Sequence, residues 1–147
     1  AYFACNIKEG DEVIAPAYTF LATVTPLLHL GAIPVLCDGL PENGNIDPNE
    51  IEAKITNKTK AIVVTHVWGH PCEMDEITKI AKDHNLLLIE DCSHAHGAIY
   101  KGQKVGTFGD VSCFSLQGKK ILFSYMKEQY YMGITEQGQS NALKMIS

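Results

Sequence analysis

The chain has 147 residues, 46% of them hydrophobic, and a formal charge of −5. That size suits one globular domain, and the acidic balance argues against nucleic acid or an anionic membrane surface as the main partner. Arginine is absent from the whole sequence, so a bound phosphate or carboxylate must be held by lysine, hydroxyls, backbone amides or another chain.

Residues 1–10 lack an initiator Met and read as the last turns of a helix closed by Gly10. The chain is therefore expected to be a fragment that starts inside a larger domain. Residues 12–15 form a predicted strand. Residues 19–30 follow as an apolar helix expected to be buried, with Pro26 an awkward interior residue. Gly31 stops it, and 33–37 is the next strand. After a turn at 41–45, Asp47 caps a helix and Pro48 opens it. A strand over 61–65 leads to a helix over 74–84, with Ile77, Ile80 and Ala81 on one face. The unbroken apolar run at 86–89 fits a strand buried on both faces. Residues 97–110 contain a hairpin-like excursion through Lys101 and Gly102, and 111–114 is the last clear strand. Short β-branched runs alternating with helix-length segments are the mark of βαβ units. The expected fold is α/β, three-layer, a mostly parallel sheet with flanking helices.

No apolar stretch is long enough to span a bilayer, and no signal peptide opens the chain. The five cysteines are an odd number without C-x-x-C spacing, and most sit in apolar runs. Reduced, buried thiols in a cytoplasmic protein are the expectation.

Two apolar runs end in reactive groups: one in Asp91, the next in a turn carrying Ser115 and Lys120. In a parallel sheet, adjacent strand ends open into one crevice. A carboxylate and an amine brought together there suit pyridoxal phosphate (PLP). The amine forms a Schiff base and the carboxylate keeps the pyridine nitrogen protonated. Lys119 is the competing amine. An unpaired Asp91 at a buried strand end would be costly, a cost that either a pyridinium partner or local backbone amides would remove. Glu90 points to the opposite face by strand alternation. The soft donors His66, His70, Cys72, Cys92, His94 and His96 raise a rival expectation of a zinc site, with 92, 94 and 96 alternating onto one strand face. No spacing among them matches a known zinc pattern.

Gly10-Asp-Glu-Val-Ile-Ala-Pro16, Gly31-Ala-Ile-Pro-Val35, His66-Val-Trp-Gly69, Asp91-Cys-Ser-His94 and Phe114-Ser-Leu-Gln-Gly-Lys-Lys120 occur in this order. The ordered set resembles the large domain of the DegT/DnrJ/EryC1/StrS family, PLP-dependent sugar aminotransferases of the aspartate-aminotransferase fold type. The resemblance implies that 1–120 is a partial PLP-binding large domain and 121–147 a divergent tail, with the family's small C-terminal domain outside this chain. It implies Lys120 as the cofactor-bearing lysine and general acid/base, Asp91 at the pyridine nitrogen, His94 at the 3-hydroxyl and Ser115 at the phosphate. Phe20, or failing it Tyr18, would lie against the ring. Plainer roles stay open: a loop histidine for His94, a turn cap for Ser115, a core aromatic for Phe20. His96 reads as structural and Trp68 as a loop aromatic near the pocket.

The implied reaction is transfer of an amino group, with glutamate as donor, to a nucleotide-linked keto sugar in polysaccharide or glycan biosynthesis. A homodimer would carry it out. Related dehydratases replace the lysine with histidine, and Lys120 argues against that reaction. Residues 121–132 depart from the family's Thr-Gly-Gly-Glu-Gly-Gly-like stretch, as a frameshift or a degraded gene copy would. An inactive truncated product is accordingly the main rival reading, ahead of a zinc-binding α/β domain.

Overall fold

The computed structural model describes residues 1–116 and the strand Tyr130–Ile134. Lys119, Lys120 and the remainder of the 121–147 tail lie outside the described residues.

Eight strands are described: β1 Glu12–Pro16, β2 Ile33–Cys37, β3 Thr59–Thr65, β4 Leu87–Asp91, β5 Ile99–Tyr100, β6 Gln103–Lys104, β7 Val111–Ser115 and β8 Tyr130–Ile134. The helices are α1 Thr25–His29, α2 Pro48–Ala53 and α3 Met74–Asp83. Six strands form one sheet in the order β2-β1-β3-β4-β7-β8. Every pairing is parallel except that of β8 with β7. The short β5–β6 hairpin is the excursion expected around Lys101 and Gly102. The mostly parallel α/β architecture is thus the one the alternating runs imply.

Strand alternation divides the core in two. On one face Ile14, Ile62, Val64 and Leu88 pack with Ile51 of α2 and with Met74, Ile77 and Ala81 of α3. On the other, Val13, Ala15, Val63 and Ile89 pack with Tyr2 and Ile7 of the N-terminal segment and Leu27 of α1. Helix α2 starts as expected: the Asp47 side chain accepts a hydrogen bond from the Asn49 N–H, and Pro48 occupies the first turn, where its missing N–H is harmless.

Two local expectations are corrected. The apolar helix over 19–30 is split into a 3-10 turn at Leu21–Thr23 and the short α1. Pro26 has no N–H to continue a helix from Ala22, so it lies in the first turn of α1 instead. Nor is the segment buried all round, because only Thr23 and Leu27 are shielded while Leu21 and Leu28 face solvent. At the N-terminus, the turn closes at Asn6 rather than Gly10. Asn6 takes the left-handed conformation, and the N–H groups of Ile7 and Asn6 donate to the carbonyls of Tyr2 and Phe3. That is the paired closure expected at a helix end. Gly10 instead turns the chain into β1, and its N–H donates to the Gly31 carbonyl.

Because Ile77 is fully buried between α3 and the sheet, Ile77→Ala should lower stability by about 3 kcal/mol. Ile99→Ala, at a solvent-facing hairpin position, should cost less than about 0.5 kcal/mol. Urea unfolding midpoints of the two variants test this placement of the core.

Candidate active site

A cleft of about 1040 Å³ opens at the carboxyl ends of β1, β3, β4 and β7. Its wall includes Thr19 and Phe20 just after β1, Thr65 at the end of β3, Asp91 at the end of β4 and Ser115 at the end of β7. Trp68 and His94, from the turns after β3 and β4, complete one side. Parallel strands bring this about by themselves, since all their carboxyl ends lie on one edge of the sheet.

Register sets the neighbours. Thr65 pairs with Asp91, and Asp91 with Cys113, so these side chains stand in a row on one face, with Ser115 two residues beyond Cys113. Asp91 is half-buried. One carboxylate oxygen accepts the Thr23 hydroxyl at 2.7 Å and the other the Ser93 N–H at 3.0 Å. The plainer role foreseen for Asp91, bonding to local amides, is therefore filled by one oxygen only. Thr23 itself is joined to Thr19 at 2.9 Å, and Thr19 to Thr65 at 3.0 Å.

Glu90, one residue earlier, faces the opposite side of the sheet and is fully buried. One of its oxygens accepts the N–H groups of Phe108 and Gly109, at 2.9 and 2.7 Å. The other accepts the Gly106 N–H at 2.7 Å and faces His66 Nε2 at 3.1 Å. Since the Cys72 N–H donates to His66 Nδ1, the ring proton resides on Nε2 and is donated to Glu90. Burial alone would raise the Glu90 pKa. The bond from His66 and the amides of Gly109 and Gly106 outweigh it and hold the carboxyl below its ordinary value. The amide turn can close this tightly only without side chains: a Cβ at Gly109 would lie 2.6 Å from the Leu88 carbonyl oxygen.

Trp68 stacks on His94, with ring centroids 5.4 Å apart and planes 18° from parallel. Trp68 adopts a left-handed backbone (φ 53°), which aims the indole outward, where it is 76% exposed. Gly69 follows at φ 86°, and a Cβ there would meet the His94 carbonyl at 3.0 Å. The two turns can approach closely because residue 69 has no side chain. Phe20 is 75% exposed at the cleft mouth, which removes the core-aromatic alternative. Ser115 is buried at the strand end. His96 tilts against Phe114 away from the cleft wall, with centroids 5.4 Å apart.

The metal expectation fails on the donors' own bonds. His66, Glu90 and Cys92 do come within 4.8 Å of one another. Yet both His66 nitrogens and both Glu90 oxygens are already engaged as described. Strand β4 also ends at Asp91, so residues 92, 94 and 96 do not share a strand face.

Asp91, His94, Ser115 and Phe20 thus meet at one cleft, while Lys120 lies outside the described residues. Sequence reasoning missed Thr19, Thr23 and Thr65, and it missed the Glu90–His66 pair. For the pair a signal existed: a glutamate inside a strand, straight after an apolar run, needs buried donors, and the Gly106–Gly109 turn offers them.

Residues 1–127 match the DegT/DnrJ/EryC1/StrS aminotransferase family. The chain belongs to that family. It is 49% identical over 122 residues to GDP-perosamine synthase of Escherichia coli O157:H7, covering 83% of this chain and 34% of the relative. It is 50% identical over 112 residues to dTDP-3-amino-3,6-dideoxy-alpha-D-galactopyranose transaminase of Aneurinibacillus thermoaerophilus, covering 76% and 31%. Its fold superposes on that of S. venezuelae DesV, solved in complex with a ketimine intermediate, with a TM-score of 0.87 at 32% identity, over 93% of this chain and 37% of that one. The family chain spans about a third of the length of the curated relatives it matches.

Glu90→Gln should cost about 2–4 kcal/mol at neutral pH, because an amide group would turn a donor toward backbone donors. With its folded pKa lowered, Glu90 contributes stability above the unfolded carboxyl pKa, about 4.3, and that contribution is lost as pH falls through the folded value. Urea midpoints measured from neutral to acidic pH should therefore converge for the two proteins, and a constant gap would contradict the amide nest.

Proposed function

We propose that the whole protein is a PLP-dependent aminotransferase that moves an amino group from glutamate to a nucleotide-linked keto sugar. The observation that carries this reading is the state of Asp91. Its carboxylate lines the cleft wall, and among the described residues no lysine or histidine forms an ion pair with it. Each of its oxygens accepts one hydrogen bond, which leaves acceptor capacity for a ring N–H from the cleft. A protonated pyridine ring fits that demand: it brings the missing positive charge and one donor.

When bound, PLP supplies an electron sink that stabilises carbanion charge. The chain's own side chains would hold and shield it. Asp91 keeps the proton on the ring nitrogen. His94, fixed in direction by its stack on Trp68, donates to the 3-hydroxyl oxygen. Ser115 would donate to the phosphate, as a hydroxyl at the strand end can. Phe20 covers the ring face and excludes water. Lys120 would hold the cofactor through its amine and would serve as the general acid/base.

The two named relatives support a nucleotide-linked sugar as the acceptor. A homodimer belongs to the same reading, because Phe3, Phe20, Leu21 and Trp68 rim the cleft with apolar surface that a second subunit would cover. The compartment proposed is the cytoplasm and the pathway that of polysaccharide or glycan assembly. Among the described residues no helix is long and apolar enough to cross a membrane.

Mixing the purified chain with PLP should give a visible absorption band, and borohydride should then fix the cofactor to Lys120. Peptide mapping reads the site, and Lys120→Ala should abolish the label. Label on Lys119 would shift the assigned lysine by one position, and absence of any label would reject cofactor binding by this chain. Asp91→Asn should weaken PLP binding by about tenfold or more, as expected for loss of a charge-assisted bond.

A further inference from the structure

The hydroxyls beside Asp91 form a line whose direction is fixed by counting protons. Thr65, Thr19 and Thr23 stand 3.0 and 2.9 Å apart, and Thr23 lies 2.7 Å from Asp91. Each threonine has one proton to give. An ionised Asp91 has none, so Thr23 must donate to it. Having spent its proton, Thr23 can only accept from Thr19, and Thr19 in turn only from Thr65. All three protons point toward the carboxylate.

The line is held at both ends. Thr65 is fixed in β3, in register with Asp91. Thr23 is buried in the 3-10 turn, and its carbonyl accepts the hydroxyl of Tyr2. The Thr23 and Thr65 side chains are shielded from solvent, so water does not readily replace these bonds. Chains of hydrogen bonds that run one way polarise and strengthen one another.

We propose that Thr23, backed by Thr19 and Thr65, is a positioning residue that fixes the Asp91 carboxylate against the cofactor's ring nitrogen. This rests on the PLP reading above. A charged acceptor makes hydrogen bonds about twice as strong as a neutral one. The Thr23 hydroxyl and the Ser93 N–H therefore favour the arrangement in which the shared proton is on the ring and the charge on Asp91. They also stop the carboxylate from turning away from the cleft. The Pro26-broken helix now has a use: the 3-10 turn that replaces its first half carries Thr23 inward while Leu21 faces out.

The test compares dissociation constants of the purified chain for PLP and for an analogue with a C–H in place of the ring nitrogen. Wild type should prefer PLP, and Thr23→Val should reduce that preference by about tenfold. Thr23→Ser should restore it. Thr19→Val, which removes the donor behind Thr23 without touching Asp91, should give a smaller loss and serves if Thr23→Val does not fold. A structural role alone would weaken both ligands equally; an unchanged preference would overturn the proposal while leaving the PLP reading intact. If neither ligand binds, the PLP reading fails for this chain, and carbon-13 NMR of the free protein decides the rest. The Asp91 carboxyl resonance should be displaced in Thr23→Val and restored in Thr23→Ser. A resonance indifferent to residue 23 would reject the hydroxyl line itself.

Discussion

A single buried carboxylate holds the carboxyl-end edge of this sheet together. Glu90 has no contact with solvent, so its charge would be prohibitive without compensation. Compensation comes from two directions: three amides of the turn before β7 and the imidazole that follows β3. Each of those segments is a loop with little core of its own. Tied to Glu90, they take fixed positions on either side of β4, and the residues they carry inherit that order. His66 leads directly into Val67–Gly69, which sets Trp68 against His94.

Glu90 and Asp91 illustrate how one peptide step can separate two chemistries. Strand alternation sends the first into the layer of α2 and α3 and the second into the cleft. Glu90 is saturated, with two hydrogen bonds on each oxygen. Among the described residues, Asp91 accepts one on each. The saturated carboxylate is structural because nothing remains for it to bind. The unsaturated one lines the wall of the cleft. This contrast, more than any motif, separates the scaffold from the site.

The strands were legible because buried parallel strands carry short apolar runs, such as Ala61–Val64 in β3 and Leu87–Ile89 in β4. Asp91 could be singled out for the same reason, as a charge where such a run stops. The segment after β1 misled, because an apolar stretch suggests burial, while Pro26 broke the helix and a cleft took up the face that a core would have filled. The threonine line could not be read at all. It joins residues from three separate segments, and only the parallel register of β3 with β4 makes Thr65 a neighbour of Asp91. The metal expectation erred differently: donor residues were counted correctly, but their existing hydrogen bonds are visible only in three dimensions. Lys120, the most informative residue of the sequence reading, falls beyond the described residues, so its role rests on spacing from Ser115 and on the family.

The left-handed turn at Trp68 has an optical consequence. The chain contains one tryptophan, and in the single chain this turn leaves it 76% exposed at the rim of the cleft, stacked on an imidazole that can quench it. Its emission is therefore free of any background from other indoles. A molecule entering the cleft must change either the solvent around that ring or the distance to His94. The protein carries its own fluorescent gauge of occupancy, in the one place where occupancy matters.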